Sequence, residues 1–404
     1  MMRLKIEVQL LLMKKLLTVI RMFHKLIIKI KIKMKKKLCI IAFAIGLLSL
    51  VACSDKSKSI SFNYNFVGAF HEGMALVVNG TKMGFINKDG IEVIPPKYEM
   101  YDIPTILDRQ KRDFKRNFYD GFSESLAMVR KGVPFTKYGF IDKTGKEVMP
   151  FIYKDAGNFS EGLAKVKSDG KWGYIDKTGK EVITLKYNDA GYFCEGLARV
   201  KSDGKWGFID ATGKEMISFK YEDAGNYSNG LAAVKSDGKW GFIDKTGKEV
   251  IPFKYADAGD YSEGLVRVAE SGGLLAKKWG YIDTAGIEVI PMKYSKAGDF
   301  SENLTYVGKG TGLGYIDKTG KEISPFKYTL VTDFSEGLAV VGANGPMGYI
   351  DVTGKEVIPV KYTNAGEFSE GVAAVNDIGI IIGGVKIKSF YISKNGEIAL
   401  PRQR

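Results

Sequence analysis

The sequence predicts an all-β fold, a tandem array of about nine small β units. Three observations carry this expectation. From residue 67 onward a Phe-Ser-Glu-Gly tag and its variants recur, starting at Phe70, Phe122, Phe159, Phe193, Tyr227, Tyr261, Phe300, Phe334 and Phe368. The glycine of a Trp-Gly pair recurs at 84, 139, 173, 207, 241, 280, 314 and 348, spaced 55, 34, 34, 34, 39, 34 and 34 residues. Within each period the apolar residues fall in short runs separated by turn chemistry, and no ten-residue stretch keeps the 3.6 spacing of a helix. A helix-pair repeat of similar length is thereby excluded.

The chain before the array reads differently. Of the 60 Lys and Arg and the 46 Asp and Glu, twelve and one lie in residues 1–52. That leaves 48 against 45, so the basic character of the chain, +14 overall, belongs mainly to its leader. Nucleic-acid binding loses its electrostatic support. Residues 1–33, with the alternating KLIIKIKIK, fit no usual signal and are read as a mis-called extension upstream of a start at Met34, the alternative being an amphipathic membrane-surface segment. Residues 34–52 read as a lipoprotein signal peptide: a short Lys35–Lys37 cluster, then an apolar run from Leu38 to Val51 that is too short for a comfortable membrane span. The run ends in Leu50-Val51-Ala52-Cys53, which resembles the bacterial lipobox and assigns Cys53 as the lipid attachment site. Residues 53–66 follow as lipidated cysteine and tether, and 67–404 as the array. The expected location is the cell envelope, at the outer membrane or cell surface, with the membrane contacted through the lipid. Cys39 lies in the leader and Cys194 is alone, so a processed chain has no disulfide and no CxxC metal pair.

The unit starting at Phe159 shows how the strands are specified. Three β-type runs are expected, Leu163–Lys167, Trp172–Asp176 and Glu181–Thr184. Ser168-Asp169-Gly170-Lys171 joins the first two, and Asp-Gly is a strong signal for a type I′ hairpin, whose central residues both need φ > 0. Lys177-Thr178-Gly179-Lys180 joins the second and third, with the glycine suited to a left-handed position and Asp176 placed to cap the turn. Across copies, Leu-Ala-x-Val keeps its leucine and valine in most units, while x is Met128, Lys165, Arg199, Ala233, Arg267, Tyr306, Val340 or Ala374. That variation predicts a solvent-facing x and an inward Ala164 and Val166. One such unit buries little alone, so stability must come from stacking. The ninth copy, FYISKNGEIALP from Phe390, has lost the glycine. The expected assembly is an open superhelical β-solenoid of three-stranded units, favoured by the long first spacing and the degenerate last copy. A closed propeller-like ring is the alternative.

The array resembles the WG-repeat proteins (KWG in some members), bacterial repeats built around Trp-Gly-hydrophobic-Ile-Asp. The resemblance covers about residues 67–400, is strongest in Lys167–Pro252, and departs where Met83, Tyr138, Leu313 and Met347 replace tryptophan. It implies an all-β repeat, often at the envelope or facing a host, and no defined activity.

No catalytic, cofactor or metal residues are assigned, and the chain is read as a non-enzyme without cofactor. The carboxylates Asp176, Asp210, Asp244, Asp283, Asp317 and Asp351 share one turn position, whereas catalysis needs one asymmetric constellation. Thr178-Gly179-Lys180 lacks the rest of a phosphate loop. His71 and Cys194 occupy a position that is serine in other units. The four tryptophans Trp172, Trp206, Trp240 and Trp279 admit two readings: exposed platforms for sugars or cations, or rings packed across the backbone, which replacement by Leu313 and methionine favours. The period is broken twice, by an insertion containing the basic loop Asp108–Arg116, with Arg109, Lys111 and Arg112 as contact residues for acidic lipid or an acidic partner, and by Glu270–Lys278. The function expected is a non-catalytic protein-interaction scaffold at the envelope; the alternative is a module for carbohydrate or wall polymer.

Overall fold

The computed structural model describes residues 64–99, 121–132, 136–272, 276–381 and 384–399. Residues 1–58 and 59–404 separate into two compact units, and all described residues belong to the second. The leader, Cys53 and the basic loop with Arg109, Lys111 and Arg112 lie outside the described residues.

Each unit is an antiparallel meander whose strands neighbour one another in chain order. In the third unit the strands are Asp155–Ser160, Leu163–Ser168, Lys171–Asp176 and Glu181–Tyr187. The hairpin expected at Asp169-Gly170 forms, with φ of 49° and 80°, and Ser168 pairs with Lys171 across it. The expected three strands are in fact four. The additional strand runs from the residues before each tag into the tag itself, where Ala164 pairs with Phe159 and Lys167 with Asp155. An irregularity between those pairs, at Gly157-Asn158, breaks the alternation that marks a strand in sequence. In the units of Tyr227, Tyr261 and Phe368 this strand shortens to two residues.

The glycine after tryptophan is fixed by close approach. A Cβ on Gly173 would lie 2.4 Å from the Ile183 carbonyl oxygen, because the bulged fourth strand crosses directly over it. The ninth unit lacks this glycine. Phe390 stands at the glycine position, pairing with Val375 as Gly173 pairs with Val166. There the sheet has three strands, and only an isolated bridge between Ile392 and Ile398 remains of the fourth.

The core lies between sheets rather than within them. Leu163, Trp172, Tyr174, Ile183 and Tyr187 of one sheet pack on Ala190, Phe193, Ala198, Val200 and Ile209 of the next. Each buried side chain of this size contributes about 1.5–3 kcal/mol, and a lone unit would forfeit one entire face. The array is all-β, its sheets stay separate, and no sheet closes into a barrel. Its ends nevertheless meet. Val67, Phe70, Ala75, Val77 and Ile86 of the first unit form a core cluster with Tyr391 of the last. The Ser369 hydroxyl donates to the Phe70 carbonyl, and the Tyr391 hydroxyl to that of Gly68. Of the two assemblies open to the sequence, these contacts are those of the ring. The frayed ninth unit keeps its first three strands and loses the outer one, so fraying does not prevent closure.

Candidate functional site

The first two strands of each unit meet in a two-residue turn, and these turns form a continuous circle. In the third unit Glu161 and Gly162 both take positive φ, 54° and 82°. Glutamate is uncommon there, where asparagine would be the expected partner of glycine. Its carboxylate accounts for it: the Glu161 oxygens accept the backbone N–H groups of Glu195 and Gly196 in the next turn. Glu195 in turn accepts from Gly230, Asn229 from Gly264, and Glu263 from Asn303. The circle continues through Glu302 and Glu336 to Glu370, which accepts the N–H of Gly73. Glu72 accepts from Ser125 and Glu124 from Gly162, returning to the start.

Lysines from the third turn of a unit lock this circle. Lys143 reaches Glu72, Lys177 reaches Glu124, and Lys88 reaches back to Glu370. Partial burial pushes the Glu72 carboxyl up, but the Lys143 ammonium and the turn N–H groups hold it below its ordinary value. Nearby, Asp176 caps its turn as the sequence suggests. One oxygen accepts from the Thr178 hydroxyl, the Thr178 N–H and the Lys180 N–H. These bonds, led by that of the Thr178 hydroxyl, hold the carboxyl below its ordinary range.

A second layer escaped the sequence reading. The variable x of Leu-Ala-x-Val is not solvent-facing: Arg199 is 8% exposed and Ala233 2%. The next unit covers it. Arg199 donates to the Ala224 carbonyl, and Arg267 donates to that of Ala297 while pairing with Asp299 at 3.2 Å. The Lys165 ammonium lies 4.7 Å from the Tyr192 ring centroid. Glycine in the preceding strand makes the room, since a Cβ on Gly259 would meet Arg267 Nε at 2.8 Å. The signal that could have found this layer is a pairing of variable positions: x in one unit with the residue before the aromatic of the next tag.

Trp172, Trp206 and Trp240 are buried, and Trp279 is partly so and packed against a core cluster. Cations of the chain itself lie over three of them, with Lys165 5.0 Å from the Trp172 ring, the Arg199 guanidinium 5.0 Å from that of Trp206 and the Arg267 guanidinium 5.7 Å from that of Trp279. The four rings belong to separate inter-unit clusters. Cys194 is buried at the serine position. Among the described residues, no group of His, Cys, Asp or Glu is placed to hold a metal ion.

The family model described as WG containing repeat matches residues 58–82, 83–102, 138–172, 172–206, 206–240, 240–272, 279–310, 314–345 and 347–377. The chain belongs to the WG-repeat family. No curated protein matches it. Among solved structures, the WD40 domain from Toxoplasma gondii coronin is 13% identical, with 68% of this chain and 80% of that one covered and a TM-score of 0.32. The tricorn protease is 12% identical at a TM-score of 0.25, with 83% of this chain and 44% of that one covered. The extracellular domain of a putative hybrid two component system from B. thetaiotaomicron is 11% identical at 0.26, with 85% and 59% covered. This WG-repeat chain thus spans less than two thirds of the length of the last two.

Proposed function

We propose that this WG-repeat ring is a non-catalytic scaffold for a protein partner, held at the cell envelope through a lipid on Cys53. The observation that carries the scaffold reading is a set of exposed apolar side chains on the outer strand, recurring in six of the units. Val148, Val182, Met216, Val250, Val289 and Val357 occupy the same place and are 37–42% exposed. One exposed valine needs no explanation, but its repetition around a ring makes an extended surface of the kind protein partners cover. The recurrent carboxylates of the turns, such as Asp176 and Glu161, serve turns and seams, which supports a structural rather than a catalytic use. The covered indole faces favour a protein over a stacked glycan.

The test is affinity capture from envelope extract with the intact chain, alongside a Val182→Lys/Met216→Lys/Val250→Lys variant. The wild type should retain a defined protein, and the variant should lose it while melting normally. Retention of purified wall glycan and of no protein would establish the alternative. Metabolic labelling with a fatty-acid analogue tests the anchor: label should enter the chain and be absent from Cys53→Ala.

A further inference from the structure

We propose that one rim of the ring is a lysine face that docks flat on an anionic lipid surface. The closed ring has two unlike rims, since every unit stands the same way up. The circle of glutamate turns lies at one rim, joined there by the Asp-capped turns whose lysines reach it. The Asp-Gly hairpins and the ends of the fourth strands lie at the opposite ends of the same strands, where Lys167 pairs with Trp172 and Trp172 with Tyr187. Among the described residues, acids outnumber bases at the first rim and bases outnumber acids at the second. The sequence alone shows an array close to neutral, because the two faces nearly cancel.

The two rims also differ in how their recurrent charges are paired, although Lys82, Lys154 and Lys277 of the basic rim pair with Glu99, Asp169 and Asp257. At the acidic rim the carboxylates accept turn N–H groups and pair with lysines of their own circle. At the basic rim, the lysine that precedes the fourth-strand tyrosine recurs in seven units, among them Lys186, Lys220, Lys254, Lys293, Lys327 and Lys361. Each of these six ammonium groups lies 5.1–5.3 Å from the ring of the tyrosine that follows it. None of the six forms an ion pair within the described residues. The side chains are exposed.

The chemistry selects the partner. Lysine is a compact, hydrated point charge and does not read planar groups through paired bonds as arginine does. Equivalent point charges at one height around a ring match a plane of anionic headgroups, to which polybasic surfaces are drawn within a Debye length. A linear polyanion would instead call for a groove, and a single-stranded nucleic acid for open aromatic faces, whereas the tyrosines here are buried. The acidic rim, repelled by the same surface, fixes which way the ring faces. This inference does not depend on the protein-partner reading.

The experiment is co-sedimentation of the full chain with phosphatidylglycerol–phosphatidylcholine vesicles and with pure phosphatidylcholine vesicles. A Lys293→Glu/Lys327→Glu/Lys361→Glu variant removes charge at the basic rim. A Lys248→Glu/Lys321→Glu/Lys355→Glu variant makes the same net change at the acidic rim, again at exposed lysines. The basic leader is common to all three chains. Binding to the anionic vesicles should fall at least tenfold in the first variant and stay within twofold in the second, with unchanged melting in both. Equal loss in both would reduce the effect to net charge and overturn the proposal. Equal binding in both would assign attachment to another segment and overturn it as well. Retention of long-chain polyphosphate without vesicle binding would overturn the lipid as the source of the anion.

Discussion

The seam between the third and fourth units and the seam between the ninth and first carry the same contacts on different connectivities. Ser160 donates to the Phe193 carbonyl at 2.8 Å and Ser369 to that of Phe70 at 2.5 Å. Glu161 accepts from Gly196 and Glu370 from Gly73, both at 2.9 Å. Tyr174 reaches the Gly191 carbonyl and Tyr391 that of Gly68. At the interior seam one residue, Asn188, joins the strands ending at Tyr187 and beginning at Asp189. The closing seam joins units at opposite ends of the array. Among the described residues, six apolar side chains form its buried cluster, against ten at the interior seam. Its aromatic pair is tilted at 42°, where the interior pair is edge-on at 65°. Repetition therefore gives each seam its geometry, while the chain gives most seams an additional tether that the last one lacks.

Interior seams should be most sensitive to lost volume. Trp206→Ala should cost about 3 kcal/mol of stability, as truncation of a buried aromatic does elsewhere, measured by denaturant unfolding. An unchanged midpoint would show that the ring contributes nothing to its seam. Gly173→Ala should cost about 2 kcal/mol, because the new Cβ meets the fourth strand and overpacking typically costs 1–3. The diagnostic signature is faster amide exchange in Glu181–Tyr187 alone.

The closing seam should yield to smaller changes. Ser369→Ala/Glu370→Ala removes side-chain bonds worth about 1 kcal/mol each. It should accelerate exchange throughout the first and ninth units, whereas Ser160→Ala/Glu161→Ala should leave its two units protected. Equal exchange in both pairs would mean that chain connectivity is irrelevant to the seams.

Acid should give the smallest effect per group and act on all seams together. Asp176, Asp210, Asp244, Glu72 and Glu370 all have carboxyls lowered from their ordinary values. The unfolded chain binds more protons than the folded one in that range. Their contribution is complete above the ordinary carboxylate range, about pH 4–5, and is lost as the pH falls through it toward the folded values. Melting temperature should be flat above pH 5 and decline below it. A rise on acidification would contradict the turn and seam bonds described for these groups.

Much of a single unit was legible in the sequence. Asp169-Gly170 announced its hairpin because two adjacent left-handed residues leave few alternatives, and Asp176 announced its turn because a short carboxylate bonds locally. Gly173 was legible as a close approach, though the partner was not. The first strand was missed because Ala156-Gly157 gives no alternating signal, its glycine being kept small for side chains arriving from elsewhere. Arg199 was misread as solvent-facing because variability was taken for exposure. It is buried because each unit supplies a different polar partner to cover it, so the position varies together with the residue that lies over it.

The sequence by itself determined the period, the turns, the glycine positions and the family, since these depend on contacts within a few residues. Only the tertiary structure decided that the ends meet, that a fourth strand forms, and that nearly balanced charges divide between two rims. Closure depends on how side chains of the first and last units interlock, the additional strand on pairing across an irregular Gly-containing stretch, and the charge division on which strand ends lie together, none of which a local pattern in one repeat announces.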